Sequence, residues 1–187
     1  MEHQPHLREC PGCKTILPIT DYPADNRYGV FSPECRQMFD EIIVKEKEFG
    51  NSVHQLIVDA YMVQHPPHHD VQQQLKISKR FIDASIQSIG IHLIGLYLAL
   101  EKKIPAPSNM NRILTSMKQQ HVTFTELTPP ADLGKIRAVD VRNALYDNPQ
   151  VTVHEYEQRV WQWATSAWDA WKDHHTTIRL LCEKYLG

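Results

Sequence analysis

Hydrophobic side chains are densest between Ile86 and Leu100, where Gln87, Ser88 and His92 interrupt the run. The pattern predicts a core helix over about Ser78 to Lys103, closed by a lysine pair and an IPAP stretch. The run falls short of the roughly 20 apolar residues a bilayer span needs. Upstream, SPECRQMFDEIIVKEKEFG places Ser32 as N-cap and Pro33 at the first helical position. Apolar Met38, Phe39, Ile42 and Ile43 follow, and the pattern ends at Gly50. A second helix is predicted from about Asn51 to His65, where Pro66-Pro67 cannot continue it.

Beyond the core helix the periodicity predicts an amphipathic piece from Ser108 to Gln120 and a brief helix near Asp140 to Tyr146. A turn-rich TELTPPADLGK connection separates them. A last helix is expected to run unbroken from Thr152 to Tyr185 around WQWATSAWDAW. No segment of any length alternates with period two, although Val122 to Leu127 and Ile136 to Val141 read as short extended pieces. The expected fold class is all-α, an antiparallel helical bundle with an N-terminal zinc-knuckle loop. One domain is expected over 1–187, with 1–31 packed on 32–187.

Charge narrows the partners. The formal net charge is −2 with a pI near 6.6, and the Lys and Arg residues form no stripe, so nucleic acid is not an expected partner. The N-terminus MEHQPHLREC offers no apolar stretch for a signal peptide, and a cytoplasmic protein without a membrane partner is expected. Nothing in the pattern sets the oligomeric state. Four cysteines in a reducing compartment point to metals or redox chemistry rather than disulfides.

The cysteine spacing carries the sharpest chemistry. CPGC, Cys10 to Cys13, puts two thiols on one tight turn, as zinc knuckles do. A thioredoxin-like dithiol would want a preceding strand and a following helix, and KTILPITDYPADN supplies neither. Cys35, in the first turn of its helix, is the third candidate ligand, since free N–H groups and the helix dipole favour a thiolate there. A knuckle plus a first-turn cysteine is the treble-clef arrangement with its usual fourth cysteine missing. Cys35 lies fifteen residues before Gly50 and His65 fifteen after it. In a helical hairpin turning at Gly50, equal rises of about 1.5 Å per residue bring the two level, which makes His65 the expected fourth ligand. The rival reading is an ordinary buried cysteine and a capping histidine. His3 and His6 are weaker competitors for the fourth place, and Cys182 reads as a packed free thiol.

A second group of polar residues sits on core-like segments. His54, Val58, Tyr61 and His65 share one helix stripe. Ser85, Ser88, His92 and Gly95 share another, with Gly95 allowing close approach of a neighbour. Pairing these helices around the 66–77 loop places His92 near the level of His54. His174 follows the tryptophan-rich segment, and Asp59 is a candidate to orient one ring, to cap a backbone or to pair with Arg80. His54, Asp59, His92 and His174 are therefore the candidates for a metal-dependent or acid–base site for a small molecule. For each histidine, the bland alternative is a hydrogen bond to a neighbour.

The combination of CPGC, SPEC, VHQLIVDAYMVQHP, SIQSIGIHLIGLYLALEKKIP and WATSAWDAWKDHH resembles an uncharacterised bacterial family, a domain of unknown function, over nearly the whole chain. The resemblance implies a bacterial cytoplasmic protein without an assigned activity. It marks Cys10, Cys13, Cys35, His54, Asp59, His65, His92 and His174. DNRY departs from a histidine-containing form of that loop, so the resemblance assigns no role to Asn26 or Arg27. Three functional expectations result. The first is a zinc-binding helical protein with a structural Cys10, Cys13, Cys35 and His65 site. The second is an enzyme at the histidine layer, and the third is an interaction module presenting its tryptophans to a partner.

Overall fold

In the computed structural model, residues 6–23, 29–104, 106–124 and 126–186 are described; His3, Asn26 and Arg27 lie outside them. The chain opens with two three-residue strands, β1 (Leu7–Glu9) and β2 (Ile16–Pro18), paired antiparallel with Arg8 opposite Leu17. They are the only strands among the described residues. They are too short for alternation to reveal them, and the CPGC turn lies between them.

Eight α-helices follow: α1 (Pro33–Glu46), α2 (His54–Val63), α3 (His69–Gln74), α4 (Lys79–Tyr97), α5 (Ala106–Gln119), α6 (Ala138–Tyr146), α7 (Val153–Ala170) and α8 (His175–Leu186). The fold is mostly helical. Ser32 caps α1 by accepting the Cys35 N–H at 3.3 Å, with Pro33 following as the spacing predicts. Gly50 ends the first arm at φ 91°, a left-handed value that favours glycine. Ser78 caps α4, which continues through a π-helical turn, Leu98–Lys102. Thr152 and Glu155 form a capping box on α7.

The core forms around α2 and α4. Helix α4 packs on α2, α5, α7 and α8, while α2 also meets α7, and α1 packs on α6 and β2. The segment Lys79–Lys102 is long and apolar enough to cross a membrane by length and composition, yet its Ile89, Leu93, Ile94, Leu96 and Leu98 are fully buried inside this fold. Three of the four tryptophans are core, and each indole N–H has an acceptor: Trp163 donates to Gln64 Oε1, Trp168 to Glu101 Oε1 and Trp171 to the Val63 carbonyl. Only Trp161 is exposed, at 37%.

Three sequence expectations are corrected. The last helix is not continuous: the backbone leaves helical geometry at Trp171 (φ −94°, ψ 19°), and a 3-10 turn, Lys172–His174, separates α7 from α8. The break lets Trp171 point into the core at Val63 while α8 turns onto α5 and α4. Val122 to Leu127 and Ile136 to Val141 form no strands among the described residues. Their extended propensity loses to local contacts: Phe124 N–H is taken by Gln87, and Ala138 opens α6. The 66–77 connection, read as a loop, contains α3.

Candidate metal centre

Cys10 and Cys13 sit on the turn between β1 and β2, held by Cys10 N–H to the Thr15 carbonyl (2.8 Å) and Lys14 N–H to the Cys10 carbonyl (2.9 Å). Lys14 takes a left-handed φ of 62° to close it. Gly12 is required by close approach: a Cβ there would stand 2.1 Å from the Val30 carbonyl oxygen and 2.8 Å from the His65 ring. Cys35 comes from the first turn of α1, and His65 follows the C-terminus of α2 just before Pro66.

These four residues converge. The ligand atoms of Cys10, Cys13, Cys35 and His65 all lie within 4.8 Å of one another, and all four residues are buried. No other such group occurs among the described residues. Cys13 Sγ is 3.6 Å from Cys35 Sγ, and Cys35 Sγ is 3.1 Å from His65 Nε2. A tetrahedral ion with bonds of about 2.3 Å to sulfur and about 2.0 Å to nitrogen keeps its donors roughly 3.5–3.8 Å apart, close to this spacing. All four cysteines of the chain are free thiols.

The surroundings orient the donors. His65 Nδ1 lies 2.6 Å from the Tyr61 carbonyl, so it carries the proton and leaves the Nε2 lone pair facing sulfur. The imidazole is walled by Tyr61, with ring centroids 4.1 Å apart, and by the edge of Phe31. The Ser32 N–H points at Cys10 Sγ at 3.4 Å, and the Thr15 hydroxyl lies 3.2 Å from Cys13 Sγ. Glu34, wholly buried, accepts the Thr20 N–H at 3.0 Å and pairs with Arg8 at 3.3 Å, fastening the hairpin to α1.

Electrostatics shows what the cluster lacks. Hydrogen bonds from the Cys10 and Cys35 thiols hold Cys13 well below the ordinary thiol value. The Cys10 and Cys13 sulfurs in turn push Cys35 well above it. Burial pulls the His65 imidazole down, but the Cys13 and Cys10 thiolates outweigh it and carry it up to about 10. A dry pocket that favours a thiolate at Cys13 also favours a cation beside it, whether a proton on His65 or a metal ion. The Cys3His set could hold a metal ion.

Of the other expected site residues only Asp59 and His92 meet, in the ring-orienting contact expected of Asp59; His54 and His174 join neither. His54 is half exposed and places Nδ1 2.7 Å from Glu46 Oε2. His92 places Nδ1 2.7 Å from Oδ1 of buried Asp59, which Gln55 also bonds at 2.8 Å. Burial raises the Asp59 carboxyl above its ordinary value, and the His92 contact opposes that rise. His174 Nε2 lies at Thr128, 3.0 Å from its carbonyl oxygen. Each ring thus has its own partner on a different element. Arg80 is not the partner of Asp59; Gly95 is its close neighbour, where a Cβ would fall 2.1 Å from Asp59 Oδ2.

The predicted level of His54 with His92 is off by about five residues, roughly 7.5 Å of helix. Counting equal arms works across the tight turn at Gly50. It fails across the 64–78 connection, which contains a helix of its own. The residue that sequence reasoning missed is Glu46. It stands four positions before Gly50 as His54 stands four after it, so the rule that paired Cys35 with His65 also pairs these two. His6, exposed on the hairpin, is not in the cluster. Cys182 is buried on α8, and burial pushes its thiol up to about 12.

Comparison with known proteins adds one match. A family profile, described as a family of unknown function (DUF5946), matches residues 8–172. No curated protein and no solved structure matches the chain.

Proposed function

For a chain that belongs to the DUF5946 family, a family of unknown function, we propose a structural zinc site in which Cys10, Cys13, Cys35 and His65 bind one ion and lock the N-terminal hairpin to the helical core. The observation that carries this reading is the convergence of four buried donors within 4.8 Å, with the His65 proton fixed on Nδ1 by Tyr61. Three thiols and an imidazole are soft and borderline donors that suit zinc over magnesium or calcium, which prefer oxygen. Four protein ligands close a tetrahedral site and leave no position for substrate, so the role is structural rather than catalytic.

The ligands come from three places: the β1–β2 turn, the start of α1 and the end of α2. An ion there would tie the sequence-distant hairpin to both arms of the α1–α2 pair. The reading carries with it a single unit over 1–187 and a reducing, cytoplasmic setting in which the thiols stay free. It calls for no nucleic-acid or membrane partner.

Metal analysis of the purified protein tests it. One zinc per chain is expected, and the cobalt-substituted form should show the absorption of a tetrahedral sulfur-rich site. A Cys35→Ala variant should lose zinc and stability together. A metal-free protein with full native stability would sink the proposal.

A further inference from the structure

A cleft of about 1130 Å³ lies on the other side of Pro67, bounded by α3, α4, α5 and the segment after α5. Its floor is apolar, made by Ile82, Ile86, Ile91, Leu114, Met117 and Phe124. The volume is slightly above the roughly 300–1,000 Å³ of small-molecule sites, so the cleft has room for such a ligand.

Its wall is built rather than incidental. The Phe124 N–H donates to Gln87 Oε1 at 3.0 Å, and the Phe124 ring lies flat over Gly90, where a Cβ would stand 2.2 Å from it. Farther along, His174 holds Thr128, which also borders the cleft. Gln87, Gly90 and His174 therefore share one task, which is to hold this segment against α4 and keep the cleft open.

The rim has a sign. Of its two carboxylates, Asp70 is paired with Lys14 at 3.0 Å and Asp83 with Lys79 at 2.8 Å. Lys118, which also lines the cleft, has no carboxylate partner among the described residues, and His69 and His121 are among the other lining side chains. His68 Nε2 is buried there without a hydrogen-bond partner. An apolar floor under a rim whose unpaired cation is Lys118, with polar imidazoles elsewhere on it, is complementary to an apolar body ending in one negative charge.

We propose that this cleft binds a small amphipathic monocarboxylate, its hydrocarbon on the Ile82, Ile86 and Phe124 floor and its carboxylate at Lys118 and the imidazole rim. The proposal does not rest on the proposed zinc site, although Lys14 beside the CPGC turn pairs with Asp70 on the rim.

The test uses the full, metal-loaded chain. Anilinonaphthalene sulfonate reports occupancy by fluorescence, and decanoate or decanol competes for it. Decanoate should displace the dye about tenfold more effectively than decanol, as one charge contact of about 1.4 kcal/mol implies. In Lys118→Gln, a surface change that leaves the fold intact, that advantage should fall away. Methyl NMR of the isoleucines should show decanoate shifting Ile82, Ile86 and Ile91. Equal displacement by acid and alcohol, an unchanged preference in Lys118→Gln, no displacement at all, or shifts confined to other isoleucines would each overturn the proposal.

Discussion

At one end of α2, His65 faces three thiols; at the other, His54 faces a single buried carboxylate, and between them Asp59 faces His92. All three arrangements bury polar groups, but they resolve the cost differently. A carboxylate and an imidazole satisfy each other: one accepts, the other donates, and their charges cancel when both ionise. Three thiols and one imidazole have no such one-to-one match. Their donor atoms all face one centre, an arrangement that could hold a metal ion. The lesson is that a histidine on a core helix is informative through the partner opposite it, and a carboxylate partner argues for packing where thiolates argue for metal.

The comparison breaks first, and hardest, at the metal end. Stripping the ion with a chelator, or replacing His65 by Ala, should cost at least about 5 kcal/mol. That is less than the roughly 10–16 kcal/mol of zinc-finger peptides, because the helical core persists without the hairpin. Thermal denaturation monitored alongside zinc content checks it; unchanged melting after complete zinc loss would erase the distinction between the two ends.

Next comes the middle of α2. Asp59→Ala leaves the His92 N–H without its partner in a mostly buried setting, and about 2–3 kcal/mol of stability should go while zinc stays at one per chain. Denaturant melts with metal analysis would read both. Loss of zinc in this variant would mean that the two regions are not separate.

A smaller effect concerns pH. Because burial raises the Asp59 carboxyl, the native state binds more protons than the unfolded state between the ordinary carboxylate value and the raised one. The Asp59 contribution to stability is therefore best below that interval and declines as pH rises through it. Asp59→Asn should flatten this slope in equilibrium unfolding measured across mildly acidic pH. An unchanged slope would show that His92 already offsets burial.

The smallest change is expected at His54. Its ring is half exposed, so water can replace it at Glu46, and His54→Ala should cost about 1–2 kcal/mol with zinc and helix content intact. Circular dichroism melts suffice to check this. A loss as large as that of Asp59→Ala would mean that water does not reach the buried Glu46 once the ring is removed.

Much of the architecture was legible because it depends on neighbours in sequence. Ser32-Pro33 at the start of α1, Gly50 at the end of the 3-10 turn Lys47–Phe49 that follows it and Pro66-Pro67 after α2 are local stops and starts, and they fall where the residues place them. The pairing of Cys35 with His65 followed from counting equal arms across Gly50. The same count gives Glu46 to His54, since each stands four positions from Gly50. The break at Trp171 was not legible, because nothing in WDAWKDHH forbids helix. It is Val63, 108 residues away, that takes the indole. The β1–β2 hairpin escaped notice because three-residue strands carry no period.

The sequence alone determined the helical class, the ends of most helices and the identity of four metal-type donors, since propensity, capping and spacing act within a few turns. Tertiary structure alone decided which imidazole meets which acceptor. The register of α2 on α4 is set by α3 in the long connection and by the close seat of Asp59 on Gly95. A shift of about five residues, roughly 7.5 Å along a helix, is enough to trade a cluster of histidines for separate carboxylate pairs.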